Sequence, residues 1–235
     1  MALKDSNEAK HYLFVYNFIQ FIGWTFILIV VLAYVSRKGT FIDVYPEVQI
    51  PLSIFQTLQL LEVVHCLVRL VPSNPIQTFV QIFSRLFIVW GILLPVVESR
   101  NSIGVPILLF AWSVAELTRY IYYALNVYKT VPYVLVWIRY TFFIVLYPMG
   151  ATGELLTIIS AYPYVRDRKL FAIELPNFAN VSFYYHIFML FMIFCFIPVF
   201  PRLYFYMIRQ RIKVLGKNSK RTLVKNSEEI WKLTW

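Results

Sequence analysis

Tyr147 and Glu154 stand seven residues apart in a stretch whose polarity hydrocarbon does not tolerate without a reason. The segment Arg139 to Thr157, RYTFFIVLYPMGATGELLT, lies inside a long apolar run. It nevertheless carries an arginine, two tyrosines, a proline, two glycines and a glutamate. An ionisable group at membrane depth costs about 2.5–3.5 kcal/mol on insertion scales, so it marks either a tightly paired structural site or a functional one. On a helix, a seven-residue step returns to within about 20° of the same face and rises about 10 Å. Pro148 removes a helical hydrogen bond and predicts a kink between the two residues. Gly150 and Gly153 either leave open space or let a neighbouring helix come close. A carboxyl and a phenol on one face suit proton transfer, one taking a proton and the other giving one. A structural polar kink fits the same residues, and spacing alone leaves both readings open.

Such a pair needs elements to hold it. The chain has 235 residues, 60% hydrophobic, 19% aromatic and 14% charged. Soluble domains carry about 25% charged residues. Long apolar runs joined by short polar links indicate an all-α integral membrane bundle. Six spans are expected, near residues 11–35, 48–71, 76–97, 104–127, 131–159 and 181–208. They make one transmembrane domain, 11–208, between a polar segment 1–10 and a basic tail 209–235 expected to be disordered or interfacial. With six spans, thirteen Lys and Arg fall on the side of the termini (Lys4, Lys10, Arg69, Lys129 and the nine from Arg202 onward). Six fall on the other side (Arg37, Lys38, Arg100, Arg166, Arg168 and Lys169). That bias predicts both termini in the cytosol. The net charge of +10 collects in the tail instead of interleaving for nucleic acid, which is not expected as a partner.

Other polar residues also fall within spans. In the first, Asn17, Gln20 and Gly23 share a helical face suited to meeting other helices. In the second, Gln56, Gln59, Glu62, His65 and Arg69 step by three or four and predict one stripe, closed by the turn Pro72-Ser73-Asn74-Pro75. Glu116 and Arg119 are spaced for an i,i+3 ion pair. Glu62 and His65 form an E-x-x-H motif of the kind di-iron bundles use. It stands without a second copy, and the chain has only three histidines, so no metal site is expected. Cys66 and Cys195 lie in apolar runs and read as small buried hydrophobes.

Trp137 to Ile158, WIRYTFFIVLYPMGATGELLTI, resembles the signature of the very-long-chain (3R)-3-hydroxyacyl-CoA dehydratases, the protein-tyrosine-phosphatase-like A family. LLEVVHCLVRLVPSNPIQTFVQIFSRLFIVWGI from Leu60 and AWSVAELTRYIYYALN from Ala111 carry the resemblance further, over about residues 11–212. It implies a six-span endoplasmic reticulum enzyme acting in the third step of fatty-acid elongation, where water leaves a 3-hydroxyacyl-CoA to give a trans-2-enoyl-CoA. It places the catalytic pair on Tyr147 and Glu154 and an associated arginine on Arg139. The implied elimination uses neither metal nor organic cofactor. Glu154 is assigned as base and Tyr147 as acid, the reverse order being open. Arg139, Arg119 and Arg85 are candidates to polarise the thioester carbonyl or to bind CoA phosphates. Implied partners are a long-chain 3-hydroxyacyl-CoA, membrane lipid, and the condensing enzyme, ketoreductase and enoyl reductase of elongation.

Phosphatase chemistry is not expected, because Cys66 is followed by LVRLVP and lacks the C-x5-R spacing. The end, Lys232-Leu233-Thr234-Trp235, departs from a dilysine retrieval signal. The sequon at Asn180 abuts span six and is expected to stay unused. A span five entering near residue 131 puts Glu154 about 35 Å along the helix, near the luminal end, although acyl-CoA is cytosolic. A non-catalytic scaffold binding elongation enzymes or lipids is the alternative reading. A transporter is a third, without the internal repeat that many transporters show.

Overall fold

Seven helices follow one another in the computed structural model, which describes residues 6–178 and 180–233, with side chains as far as residue 216. The first five residues of the expected N-terminal segment lie outside the described residues. So do Thr234 and Trp235, on which the reading of the C-terminal signal partly depends. Helix α1 (Asn7–Lys38) is started by Ser6, whose hydroxyl accepts from the Ala9 amide, and stopped by Gly39 at φ 64°. Its inward stripe is Asn17, Gln20, Gly23, Trp24, Ile27 and Val31, while Phe18, Ile22, Phe26 and Ile29 face outward, 42–57% exposed. Large apolar side chains turned outward belong against lipid. Gly23 is needed for close approach, since any Cβ there collides with the Phe55 ring.

The second apolar stretch is broken in two, α2 (Tyr45–Leu58) and α3 (Leu60–Leu67), around Gln59. Gln56, Gln59 and His65 are buried as the stripe predicts. Arg69 is not part of that stripe. The helix has already ended at Leu67, and Arg69 sits exposed in the turn at φ 58°. Asn74 then caps α4 (Pro75–Leu86), accepting from the amides of Ile76 and Gln77, with Pro75 in the first turn where its missing N–H costs nothing. The helix widens into a π-helical stretch, Phe87–Leu93, followed by a 3-10 turn, Val97–Asn101.

Helix α5 (Gly104–Val127) is the centre of the bundle and packs along both α1 and α6. Leu108, Leu109, Trp112, Ser113, Glu116, Tyr120 and Ala124 are all buried on one broad face, while Phe110 turns outward, 40% exposed. Helix α6 (Tyr133–Asp167) runs through Pro148 and Pro163 without a break. A loop containing the isolated bridge between Ile173 and Phe183 leads to α7 (Tyr185–Leu233). Asn180 of the sequon is exposed in that loop. Beyond Arg209, where a disordered or interfacial tail is expected, α7 continues as helix through a stretch free of proline.

The chain is thus a helical, multi-pass membrane bundle. Among the described residues, five helical segments are long and apolar enough to cross a membrane: Asn7–Lys38, Tyr45–Leu67, Pro75–Leu93, Tyr133–Asp167 and Tyr185–Gly216. The expected count of six differs by α5, whose apolar character is diluted by Glu116 and Arg119. Protein neighbours, not lipid, solvate those two charges.

Candidate active site

Glu154 points from α6 into α5 and is 7% exposed. One carboxylate oxygen, Oε1, accepts a hydrogen bond from the indole Nε1–H of Trp112 at 3.0 Å. The approach of the two helices makes this contact possible. A Cβ on Gly153 would lie 2.7 Å from the Leu108 amide nitrogen and 2.8 Å from the Gly104 carbonyl oxygen. The backbones therefore touch, and Thr157 adds a hydroxyl donated to the Gly153 carbonyl at 2.8 Å. The two glycines thus serve helix contact and do not leave an open hollow. At Gly150 an added Cβ would meet Ala111 and Trp112 at 3.7 Å, ordinary contact. Gly153→Ala is accordingly expected to lower stability by about 1–3 kcal/mol, as overpacking does. Gly150→Ala should cost far less. Thermal unfolding of the two variants in detergent checks the contrast.

Tyr147 turns toward α7 instead. Its ring stacks on Phe200, centroids 4.8 Å apart and planes at 19°, and then on Tyr204 at 6.1 Å and 22°. No hydrogen bond joins Tyr147 to Glu154 among the described residues. The shared face of α6 is flanked by α5 on the carboxylate's side and α7 on the phenol's, so a substrate has to bridge the two.

A chain of charges runs along α5 behind this face. Arg85 of α4 pairs with Glu116 and lies over the Trp112 ring, 5.4 Å from its centroid. Arg119 lies 2.7 Å from Glu116 Oε2, an ion pair without hydrogen-bond alignment. It also holds Glu62 with two nitrogens, at 2.8 and 3.1 Å. Tyr120 donates its hydroxyl to Glu62 and receives Arg119 at 2.8 Å. Arg139 stands among tyrosines. It donates to the Tyr123 hydroxyl at 3.0 Å and lies 4.4 and 4.5 Å from the Tyr122 and Tyr123 ring centroids. Tyr123 links the two systems, because Arg119 also lies over its ring at 5.9 Å.

The expected Glu116–Arg119 pair is present, as part of a larger network. Of the candidate arginines, Arg85 is next to the carboxylate's donor, Arg119 is in the middle, and Arg139 is at the far end. The E-x-x-H residues take separate partners, Glu62 the arginine and His65 the Tyr12 hydroxyl at 2.9 Å. Among the described residues, no three His, Cys, Asp or Glu gather as a metal site would need. Sequence reasoning missed Trp112. The signal lay in the steps from Trp112 to Glu116, Arg119 and Tyr123, which are helical spacings on one face of α5.

Comparison with known proteins identifies the family. Residues 56–217 match the family model described as protein tyrosine phosphatase-like protein, PTPLA. The mouse protein named very-long-chain (3R)-3-hydroxyacyl-CoA dehydratase 2 is 44% identical over 208 residues, 88% of this chain and 82% of the relative. The Caenorhabditis elegans dehydratase hpo-8 is 44% identical over 91% of this chain and 99% of its own length. The Arabidopsis thaliana dehydratase PASTICCINO 2 is 34% identical over 89% and 95%. No solved structure matches the chain. A signature helix packed against a charged partner helix, and identity sustained over most of both chains, have one consequence: this chain belongs to the PTPLA family.

Proposed function

We propose that the chain is a hydro-lyase that dehydrates long-chain and very-long-chain (3R)-3-hydroxyacyl-CoA to the trans-2-enoyl-CoA. The observation that carries this reading is the setting of Glu154. It is a buried carboxylate with one oxygen held by Trp112 and with Tyr147 two helical turns back on the same helix. Glu154 takes the C2 proton, the C–H electrons form the C2–C3 double bond, and the C3–O bond breaks. Tyr147 gives its phenolic proton to the departing hydroxyl, which leaves as water. A proton passing from the Glu154 carboxyl to the Tyr147 phenolate restores the pair. Positioned acid–base groups of this kind contribute about 10²–10⁴-fold each.

The depth of Glu154 fits a cytosolic substrate better than a span ending near residue 159 would allow. Helix α6 has 35 residues, about 52 Å at 1.5 Å per residue, against a hydrocarbon core of about 30 Å. Glu154 lies about 32 Å from the start of α6 and about 20 Å from its end, so it is not a terminal residue. The α5–α6 turn is the cytosolic one in the six-span arrangement we propose, with α5 as the protein-enclosed span and both termini cytosolic. From that turn Arg139, Arg119 and Arg85 lead inward to Glu154. Arg119 and Arg85 are compensated by Glu62 and Glu116, whereas Arg139 has no carboxylate partner among the described residues. Arg139 is therefore the best placed of the three to bind CoA phosphate. Arg139→Gln is expected to raise KM about tenfold with kcat changed much less, as removal of one charge-assisted contact does. Steady-state kinetics against free CoA as competitor measure it.

We place the protein in the endoplasmic reticulum membrane, working beside the condensing enzyme, ketoreductase and enoyl reductase of elongation. The test of the reading is the purified wild-type protein in detergent, incubated with 3-hydroxyacyl-CoA of increasing chain length. Enoyl-CoA formation is the expected result, and its absence at every length overturns the assignment.

A further inference from the structure

The reading of Glu154 as base leaves open what keeps that carboxylate aimed. A buried glutamate beside an arginine ordinarily closes on it. Here Arg85 and Glu154 contact the same Trp112 indole, yet the two form no ion pair among the described residues. Arg85 is turned to Glu116 and laid over the face of Trp112. The same indole donates its N–H to Glu154 Oε1 at 3.0 Å. Trp112 is 2% exposed, and Glu154 has no other hydrogen-bond donor among the described residues.

We propose that Trp112 is the positioning residue for Glu154: its N–H pins one carboxylate oxygen while the face of its ring carries the Arg85 guanidinium that Glu116 holds, leaving Oε2 directed at the substrate. This rests on the catalytic reading of Glu154. A carboxylate pinned at one oxygen loses the rotation about its last bond that otherwise spreads its lone pairs over many directions. Holding reacting atoms within a narrow angular range is worth a large share of a catalysed rate. The guanidinium over the ring draws electron density from the indole and makes its N–H a better donor. The contact also explains why the α5 and α6 backbones touch at Gly153. A wider spacing would carry the indole out of reach of the next residue on α6.

Removing the N–H should lower kcat roughly tenfold to a hundredfold, the value of one hydrogen bond to a charged group, with KM within about twofold. Two variants separate this from packing. Trp112→Phe keeps an aromatic ring but loses volume. A tryptophan isostere with sulfur in place of the N–H, introduced at position 112, keeps the shape and loses only the donor. Both should show the kcat loss, and the isostere should melt with the wild type. In the Glu154→Gln background, Trp112→Phe should change the residual rate by less than about twofold, because the donor acts through the carboxylate. Full kcat in the isostere overturns the proposal, as does a loss expressed in KM alone. If Trp112→Phe fails to fold, the isostere decides. If Glu154→Gln itself turns over normally, the catalytic reading of Glu154 has failed, a result distinct from an active isostere beside an inactive Glu154→Gln.

Discussion

Glu154→Gln abolishes turnover, by about a thousandfold or more, while the protein melts within a few degrees of the wild type. The stability half of this expectation follows from the contacts. Glutamine has the same length, and its carbonyl oxygen accepts the Trp112 N–H as Oε1 does. The buried site stays filled and its donor stays satisfied. Only the capacity to take a proton is lost. Tyr147→Phe is expected to match it in rate. The ring contacts with Phe200 and Tyr204 are face-to-face and do not use the hydroxyl, so the stack survives. The double variant should be little slower than either single one, because an acid and a base acting in one elimination fail together. Turnover near normal in both single variants removes the pair from the chemistry. Loss in Glu154→Gln alone leaves the base in place and hands the departing hydroxyl to water or another donor.

What sequence could supply here was faces, and what it could not supply was neighbours. The apolar runs mark a helical membrane chain, and the bounds expected for the fourth span, 104–127, are those of α5. Periodicity placed Tyr147 with Glu154 and Glu116 with Arg119 because each pair sits within one helix. Trp112 and Glu154 are 42 residues apart, Arg85 and Glu116 31, Glu62 and Arg119 57. Nothing in one chain's spacing says which stripe meets which. The break at Gln59 carries no Pro or Gly, while Pro51 lies inside α2 without ending it. Helix α6 outruns its apolar run because helical hydrogen bonds do not need hydrocarbon around them. They continue through Tyr162, Pro163 and Tyr164 to Asp167. The glycines of the signature were ambiguous between space and contact, and the Gly104 carbonyl against Gly153 resolves them as contact.

The charge network yields a second large effect, on stability. Glu116 is 2% exposed and pairs with both Arg85 and Arg119. Glu116→Leu removes the one ion pair that Arg85 makes among the described residues, leaves it partly buried beside an apolar side chain, and takes one of two carboxylates from Arg119. Breaking a buried pair at one end costs about 3–5 kcal/mol, because the surviving charge is stranded. Thermal unfolding of Glu116→Leu in detergent should show it as a drop of many degrees. Adding Arg85→Met removes the stranded charge, and well-packed apolar replacements of buried ion pairs are often neutral. Arg119 keeps its two-nitrogen grip on Glu62 throughout. The double variant should therefore recover most of the lost stability. It should not recover activity, because it lacks the cation that lies over Trp112, the donor to Glu154. Stability and turnover returning together would mean that Arg85 serves only to neutralise Glu116. Stability returning alone assigns Arg85 to the electrostatics of the reaction, and makes the buried charges of α5 a device for holding one cation beside the base without letting it close on it.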